Sequence, residues 1–173
     1  MVTRLDFPLI GNTACPVLFN GVCNQQDLIC LFDTGAYLPV WCKDEMALHN
    51  VFPDAYWDGK FSLIGGFGEG YHKAKVFVIP RFELSDGHQM LSWANFRVVV
   101  VPKDLDAQII LPWTVFERCN ISLNTYSTHT VPKVIIPHII FKSPRKSFGI
   151  RVSFAILKDG SKVVNAISVL AQK

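Results

Sequence analysis

Cys30-Leu31-Phe32-Asp33-Thr34-Gly35-Ala36 is the stretch on which the reading of this chain turns. An aspartate directly after an apolar strand, followed by threonine and glycine, can be held rigidly while the loop backbone bonds its carboxylate. Gly35 permits the close approach that this needs. Asp, Thr and Gly also favour ordinary surface turns, but Leu31-Phe32 before the triplet and Ala36 after it indicate a buried setting.

On the N-terminal side, residues 16–20 and 27–32 read as paired strands, because apolar β-formers flank a turn over 21–26 rich in Gly, Asn and Gln. On the other side, residues 37–41 form a further extended piece and 44–50 a short helix, before the turn signals Pro53, Asp54 and Asp58-Gly59. Two extended segments, 60–64 and 71–79, flank the glycine-rich Gly65-Gly66-Phe67-Gly68-Glu69-Gly70, the pattern of a hairpin with a glycine tip. The β-branched run Val98-Val99-Val100-Val101 lies in a strand over 91–102. Residues 109–111 make another apolar strand, which stops at Pro112. Proline suits a first helical turn, so 112–119 is expected to form a short helix before a strand over 120–125.

After residue 125 the chain turns to Thr, Ser and Pro, then to β-like stretches at 134–141 and 148–157. Lys158-Asp159-Gly160-Ser161 sits between residues 153–157 and 162–169, as in a hairpin with a tight Asp-Gly turn. The expected fold class is all-β, mainly strands with one or two short helices, divided into residues 1–124 and a β-rich extension over 125–173.

Composition narrows the function classes. Half the residues are hydrophobic and only 18% are charged, which places the chain among globular proteins. The net charge of +3 is spread along the chain, and its one tight basic cluster, Lys142, Arg145 and Lys146, is too short for a phosphate-tracking groove. No nucleic-acid partner is expected. Asp6 and Pro8 interrupt any signal-like apolar stretch, and no run approaches membrane-spanning length, so a cytoplasmic setting without membrane association is expected. The five cysteines are an odd count without a Cys-x-x-Cys pair, which predicts reduced, mostly buried thiols. The five histidines lack metal-ligand spacing, so no metal and no cofactor is expected. Gly66-Phe67-Gly68 meets Tyr71 where a dinucleotide-binding loop needs its third glycine, and a strand rather than a helix follows.

The chain resembles the retropepsin family, the dimeric aspartic proteases of retroviruses and their cellular relatives. Three blocks fall in family order: residues 17–41 with Asp-Thr-Gly-Ala, the flap-like Leu63-Ile64-Gly65-Gly66-Phe67-Gly68, and Gln108-Ile109-Ile110-Leu111 followed by 112–119 and Asn120-Ile121-Ser122-Leu123-Asn124. The blocks span residues 7–124. The resemblance implies a retropepsin-like acid protease barrel and an aspartic endopeptidase. Asp33, Thr34 and Gly35 would be catalytic, and Ala36, Gly65, Gly66, Phe67 and Gly68 would contact an extended peptide or protein substrate. Hydrolysis by water needs a base for the water and an acid for the departing amine. In aspartic proteases two contacting carboxylates do both, sharing one proton because they cannot both ionise. This chain has one Asp-Thr-Gly, so the second carboxylate must come from a second copy, as a homodimer about a two-fold axis. By the same resemblance Thr34 hydrogen-bonds across the dimer, and the flap closes over substrate with Phe67 at its tip.

The chain departs from the family in three places. Pro112 stands where members place a glycine behind the catalytic loop. Tyr37 and Trp113 replace an acidic residue and an arginine that in retroviral members pair and help fix the dimer, and a ring contact is expected to take over that role. Residues 125–173 have no counterpart in the minimal retropepsin. They are expected to cover a sheet edge or enlarge the dimer interface, or else to occlude the cleft or be cleaved. The Pro112 substitution also leaves open a catalytically inactive dimerisation or peptide-binding module of the same fold.

Overall fold

The computed structural model describes residues 1–66, 70–127 and 135–172. Its strands are β1 (Thr3–Pro8), β2 (Leu18–Cys23), β3 (Gln26–Asp33), β4 (Val40–Trp41), β5 (Tyr56–Gly66), β6 (Gly70–Ser85), β7 (Met90–Val100), β8 (Ile109–Pro112), β9 (Asn120–Ser127), β10 (Ile135–Ser143), β11 (Ser147–Ile156) and β12 (Lys162–Ala171). A single α-helix, α1 (Glu45–Val51), and 3-10 turns at Ile10–Asn12 and Trp113–Phe116 complete the described elements. The protein is all-β, as its sequence predicts.

Neighbouring strands close into a barrel in the order β11-β12-β5-β6-β2-β3-β8-β4-β7, with β7 returning to β11, while β1-β10-β9 form a three-stranded sheet. Closure leaves few open ladder edges. The chain after β9 is woven into both units. β10 lies between β1 and β9, and the β11–β12 hairpin fills the gap between β7 and β5.

Several local expectations shift by a few residues. The first hairpin was expected to turn over 21–26, but its strands run on to Cys23 and from Gln26, leaving Asn24 and Gln25 as the turn, both at positive φ (48° and 69°). Asn24 tolerates this conformation, and its side chain is fixed, donating to the Arg81 carbonyl at 2.9 Å and accepting from the Glu83 N–H at 2.7 Å. Gly21 is therefore a strand residue. A Cβ there would lie 2.8 Å from Leu84 Cδ1 and 3.1 Å from Cys30 Sγ, so the glycine allows close packing rather than turning the chain. The expected helix over 112–119 is shorter, the 3-10 turn Trp113–Phe116 with Pro112 as its cap. No element was expected at residues 3–8, yet Leu5 and Phe7 alternate with Arg4 and Asp6 at a strand's period, and both apolar residues are buried.

Helix α1 starts where its sequence suggests. Asp44 accepts the Ala47 N–H at 2.8 Å as an N-cap, and Leu48 carries the buried face.

The main core is aromatic. Phe7, Phe19, Phe32, Phe116 and Phe141 interlock, with the Phe116 and Phe141 rings stacked at 4.2 Å. Trp93 bridges to Phe148 and Phe116, and its indole N–H donates to the Val115 carbonyl at 3.0 Å. Each such ring contributes about 1.5–3 kcal/mol by leaving water. A second, smaller cluster joins Leu38, Val76, Val99 and Val164, with Ile64 and Ala74 packed against it. It therefore sits between the chain following the Asp-Thr-Gly loop, the β5–β6 hairpin and β12. No helix among the described residues is long and apolar enough to cross a membrane.

Candidate active site

Asp33 is the last residue of β3, where hydrogen bonding ends and the loop begins. Two features place it. β3 runs parallel to β8, with Phe32 opposite Leu111 and Asp33 opposite Pro112. The preceding side chain, Phe32, wedges against Phe116 (6.0 Å between centroids) and Phe141 (5.9 Å). The carboxylate thus stands at the rim of the aromatic core.

The loop backbone then turns onto that carboxylate. Gly35 N–H donates to Asp33 Oδ1 at 2.8 Å. A Cβ on Gly35 would lie 3.3 Å from the same oxygen, tighter than ordinary contact, which is why glycine suits this position. Asp33 is half-buried, whereas Thr34 and Gly35 are exposed and Ala36 is half-buried. The Thr34 hydroxyl has no hydrogen-bond partner among the described residues.

Tyr37 anchors the far side of the loop at both ends of the residue. Its hydroxyl lies 3.1 Å from Ser62 Oγ in β5, and its carbonyl accepts the Thr114 hydroxyl at 2.9 Å. Leu38 is buried in the smaller apolar cluster, and the Pro39 carbonyl accepts the Val99 N–H at 2.9 Å. The expected ring contact between Tyr37 and Trp113 is not made within the protomer. Trp113 is 49% exposed and packs against no aromatic ring among the described residues, because Tyr37 is turned toward Ser62.

Pro112 leaves the β3–β8 ladder in register as far as Asp33. It is buried in an extended conformation, at φ −81° and ψ 162°, which its ring accepts without strain.

Gly65 and Gly66 end β5, opposite Tyr71 and Gly70 in β6. Phe67 and Gly68, the expected tip, lie outside the described residues. Asp33, Thr34, Gly35 and Ala36 form one continuous loop, and the Tyr37–Ser62 hydrogen bond joins that loop to the strand that carries Gly65. Ser62 and Thr114 are site-supporting residues that sequence reading missed. Ser62 had a signal, since it is a polar residue in step with Ile64 on the buried face of β5, whereas Thr114 had none.

Two surface cavities, of about 550 Å³ (bounded by residues such as Met1, His88 and Lys146) and about 560 Å³ (Cys42, Asp44, Lys103), include none of these residues. Among the described residues, no group of three His, Cys, Asp or Glu side chains is placed to hold a metal ion. All five cysteines are free thiols, and Cys23, Cys30 and Cys42 are buried. Burial pushes the Cys119 thiol up to about 11.

No family model matches the chain, and no curated protein matches it. Among solved structures, it is similar to a retropepsin-like aspartic protease from Rickettsia conorii, with 17% sequence identity over 83% of this chain and 92% of that one, at a TM-score of 0.47.

Proposed function

We propose that the protein is an aspartic endopeptidase that works as a homodimer, with the two Asp33 carboxylates facing each other across a two-fold axis. Residues 1–124 carry the site, and 125–173 brace it. The observation that supports this most is the setting of Asp33. One carboxylate per chain sits at a strand end with one oxygen fixed by the Gly35 N–H, beside an exposed Thr34 whose hydroxyl has no partner among the described residues. A lone carboxylate cannot act as base and acid at once, and a second copy supplies the missing partner without any further residue type.

In this mechanism the ionised carboxylate of the pair takes a proton from water as the water oxygen attacks the scissile carbonyl carbon. The protonated carboxylate supplies the proton that ends on the departing amine nitrogen. Thr34 ties the two loops across the axis, and residues 65–68 close over an extended peptide through their backbone, in the manner of strand addition.

A second reading, an inactive dimerisation or peptide-binding module, is favoured by Pro112, which stands opposite Asp33, where the retropepsins that the chain resembles usually place glycine. Cleavage of a diverse peptide library between about pH 3.5 and 7, the range chosen to bracket a carboxylate pair, separates the two. The wild type should cut and Asp33→Asn should not, with both proteins dimeric by sedimentation. A folded wild-type dimer that cuts nothing would favour the inactive module.

A further inference from the structure

The β11–β12 hairpin is fastened at two ends to the two elements that bracket the site. At one end it meets the β5–β6 hairpin. β12 extends β5 with Lys162 opposite Lys60 and Val163 opposite Phe61. The turn beyond is preformed, since Ser161 N–H donates to Asp159 Oδ1 at 2.9 Å and Gly160 takes φ 85°. Lys73 of β6 reaches this turn from 86 residues away in the chain, pairing with the Asp159 carboxylate. The same ammonium donates to Ser161 Oγ at 2.7 Å, while its charge lies over the Phe61 ring, 5.6 Å from the centroid. Lys73 is directly opposite Leu63, two residues before Gly65.

At the other end, β12 is gripped by the segment that follows Pro112. Val169 N–H donates to Glu117 Oε1 at 3.0 Å, and Arg118 Nε donates to the Val169 carbonyl at 2.9 Å. Two side chains thereby replace the strand partner that β12 lacks there. Between the two grips, Val164 packs with Leu38. A single hairpin therefore spans from the middle of the β5–β6 hairpin to the residues just beyond β8.

We propose that Asp159 is a positioning residue that acts through Lys73, holding the β5–β6 hairpin at the Leu63–Lys73 pair against the β11–β12 turn and so limiting how readily that hairpin opens. That this opening admits substrate rests on the endopeptidase reading above. An exposed ion pair alone contributes little. Here the carboxylate also organises its own turn, and the pair lies beside a two-residue stretch of ladder, where a small local contribution governs local opening rather than global unfolding.

The test uses the full-length protein as wild type, Asp159→Asn, Lys73→Met and the double variant, read by amide hydrogen exchange and by peptide-cleavage kinetics. Each single substitution should speed exchange in β5 and β6 by about threefold to tenfold. The double variant should do no more than either single, and β3 and β8 should be unchanged. KM should rise more than kcat falls, and Asp159→Glu should restore part of the effect. Unchanged exchange in β5–β6, or an equal rise throughout the chain, would overturn the proposal. So would faster hairpin exchange with no change in KM, which leaves only a surface contact. If the wild type cleaves nothing, the endopeptidase reading fails, and the exchange data still decide whether Asp159 restrains the hairpin.

Discussion

The Tyr37 hydroxyl lies 3.1 Å from Ser62 Oγ, which ties the residue following Asp33-Thr34-Gly35-Ala36 to the strand that leads into Gly65 and Gly66. Ser62 is buried, so the bond is shielded and its loss leaves a polar group without water. Tyr37→Phe and Ser62→Ala should each cost about 0.5–1.5 kcal/mol in urea unfolding. In a double-mutant cycle the two should be non-additive, whereas strict additivity would mean that the contact contributes nothing.

Asp33→Asn should lower cleavage by at least about a thousandfold, because the amide can neither take nor give the proton. Its unfolding midpoint and sedimentation should match the wild type. A variant that still cuts at the wild-type rate would move the chemistry elsewhere.

Gly35→Ala tests the same loop by sterics alone. The added Cβ, 3.3 Å from Asp33 Oδ1, must displace either the carboxylate or the backbone that bonds it. Activity should fall by about tenfold to a hundredfold, as expected when a reacting group moves by a fraction of an ångström to an ångström. Far-ultraviolet circular dichroism should not change.

Phe141→Ala should destabilise the protein by about 3–5 kcal/mol, since its ring contacts Phe7, Phe19, Phe32 and Phe116. Denaturant titration reads this directly. A loss below about 1 kcal/mol would show that β10 is not part of the folded core.

Asp159 has a defined pH signature. The Lys73 ammonium, then Ser161, hold its carboxyl well below the usual carboxylate range. A depressed folded-state pKa contributes stability above the unfolded value, about 3.9, and that contribution is lost as pH falls through the folded value. The difference between wild type and Asp159→Asn should therefore be constant from about pH 5 to 7 and shrink progressively as the pH falls through about 4 toward the folded value. A difference that vanishes already by pH 5 would contradict the pairing.

The thiols should differ sharply in reactivity. Cys15 is exposed, while burial raises Cys42 and pushes Cys119 up to about 11. At pH 8 a thiol reagent should modify Cys15 first and the buried cysteines only on unfolding.

Much of this was legible locally. Strand periods, the Asp-Gly turn and the Asp44 cap depend on residues within a few positions of each other, so β3, α1, β8 and the β11–β12 hairpin could be read from short windows. Gly21 was misread because a glycine in a turn and a glycine under a neighbouring side chain look the same in sequence. Only the approach of Leu84, 63 residues away, distinguishes them. The Tyr37–Ser62 contact was likewise not legible, since it joins residues on separate strands 25 positions apart.

By itself the sequence determined the all-β class, the strand leading into Asp33 and the loop glycine that bonds its carboxylate, because these follow from side-chain period and backbone stereochemistry. Only the tertiary structure decided that β10 enters the aromatic core behind Asp33, that β12 joins β5, and that Glu117, Arg118, Lys73 and Asp159 clamp one hairpin across the site. Those pairings bring together residues tens of positions apart. Their partners are chosen by closure of the barrel and burial of rings, and no local pattern encodes that choice.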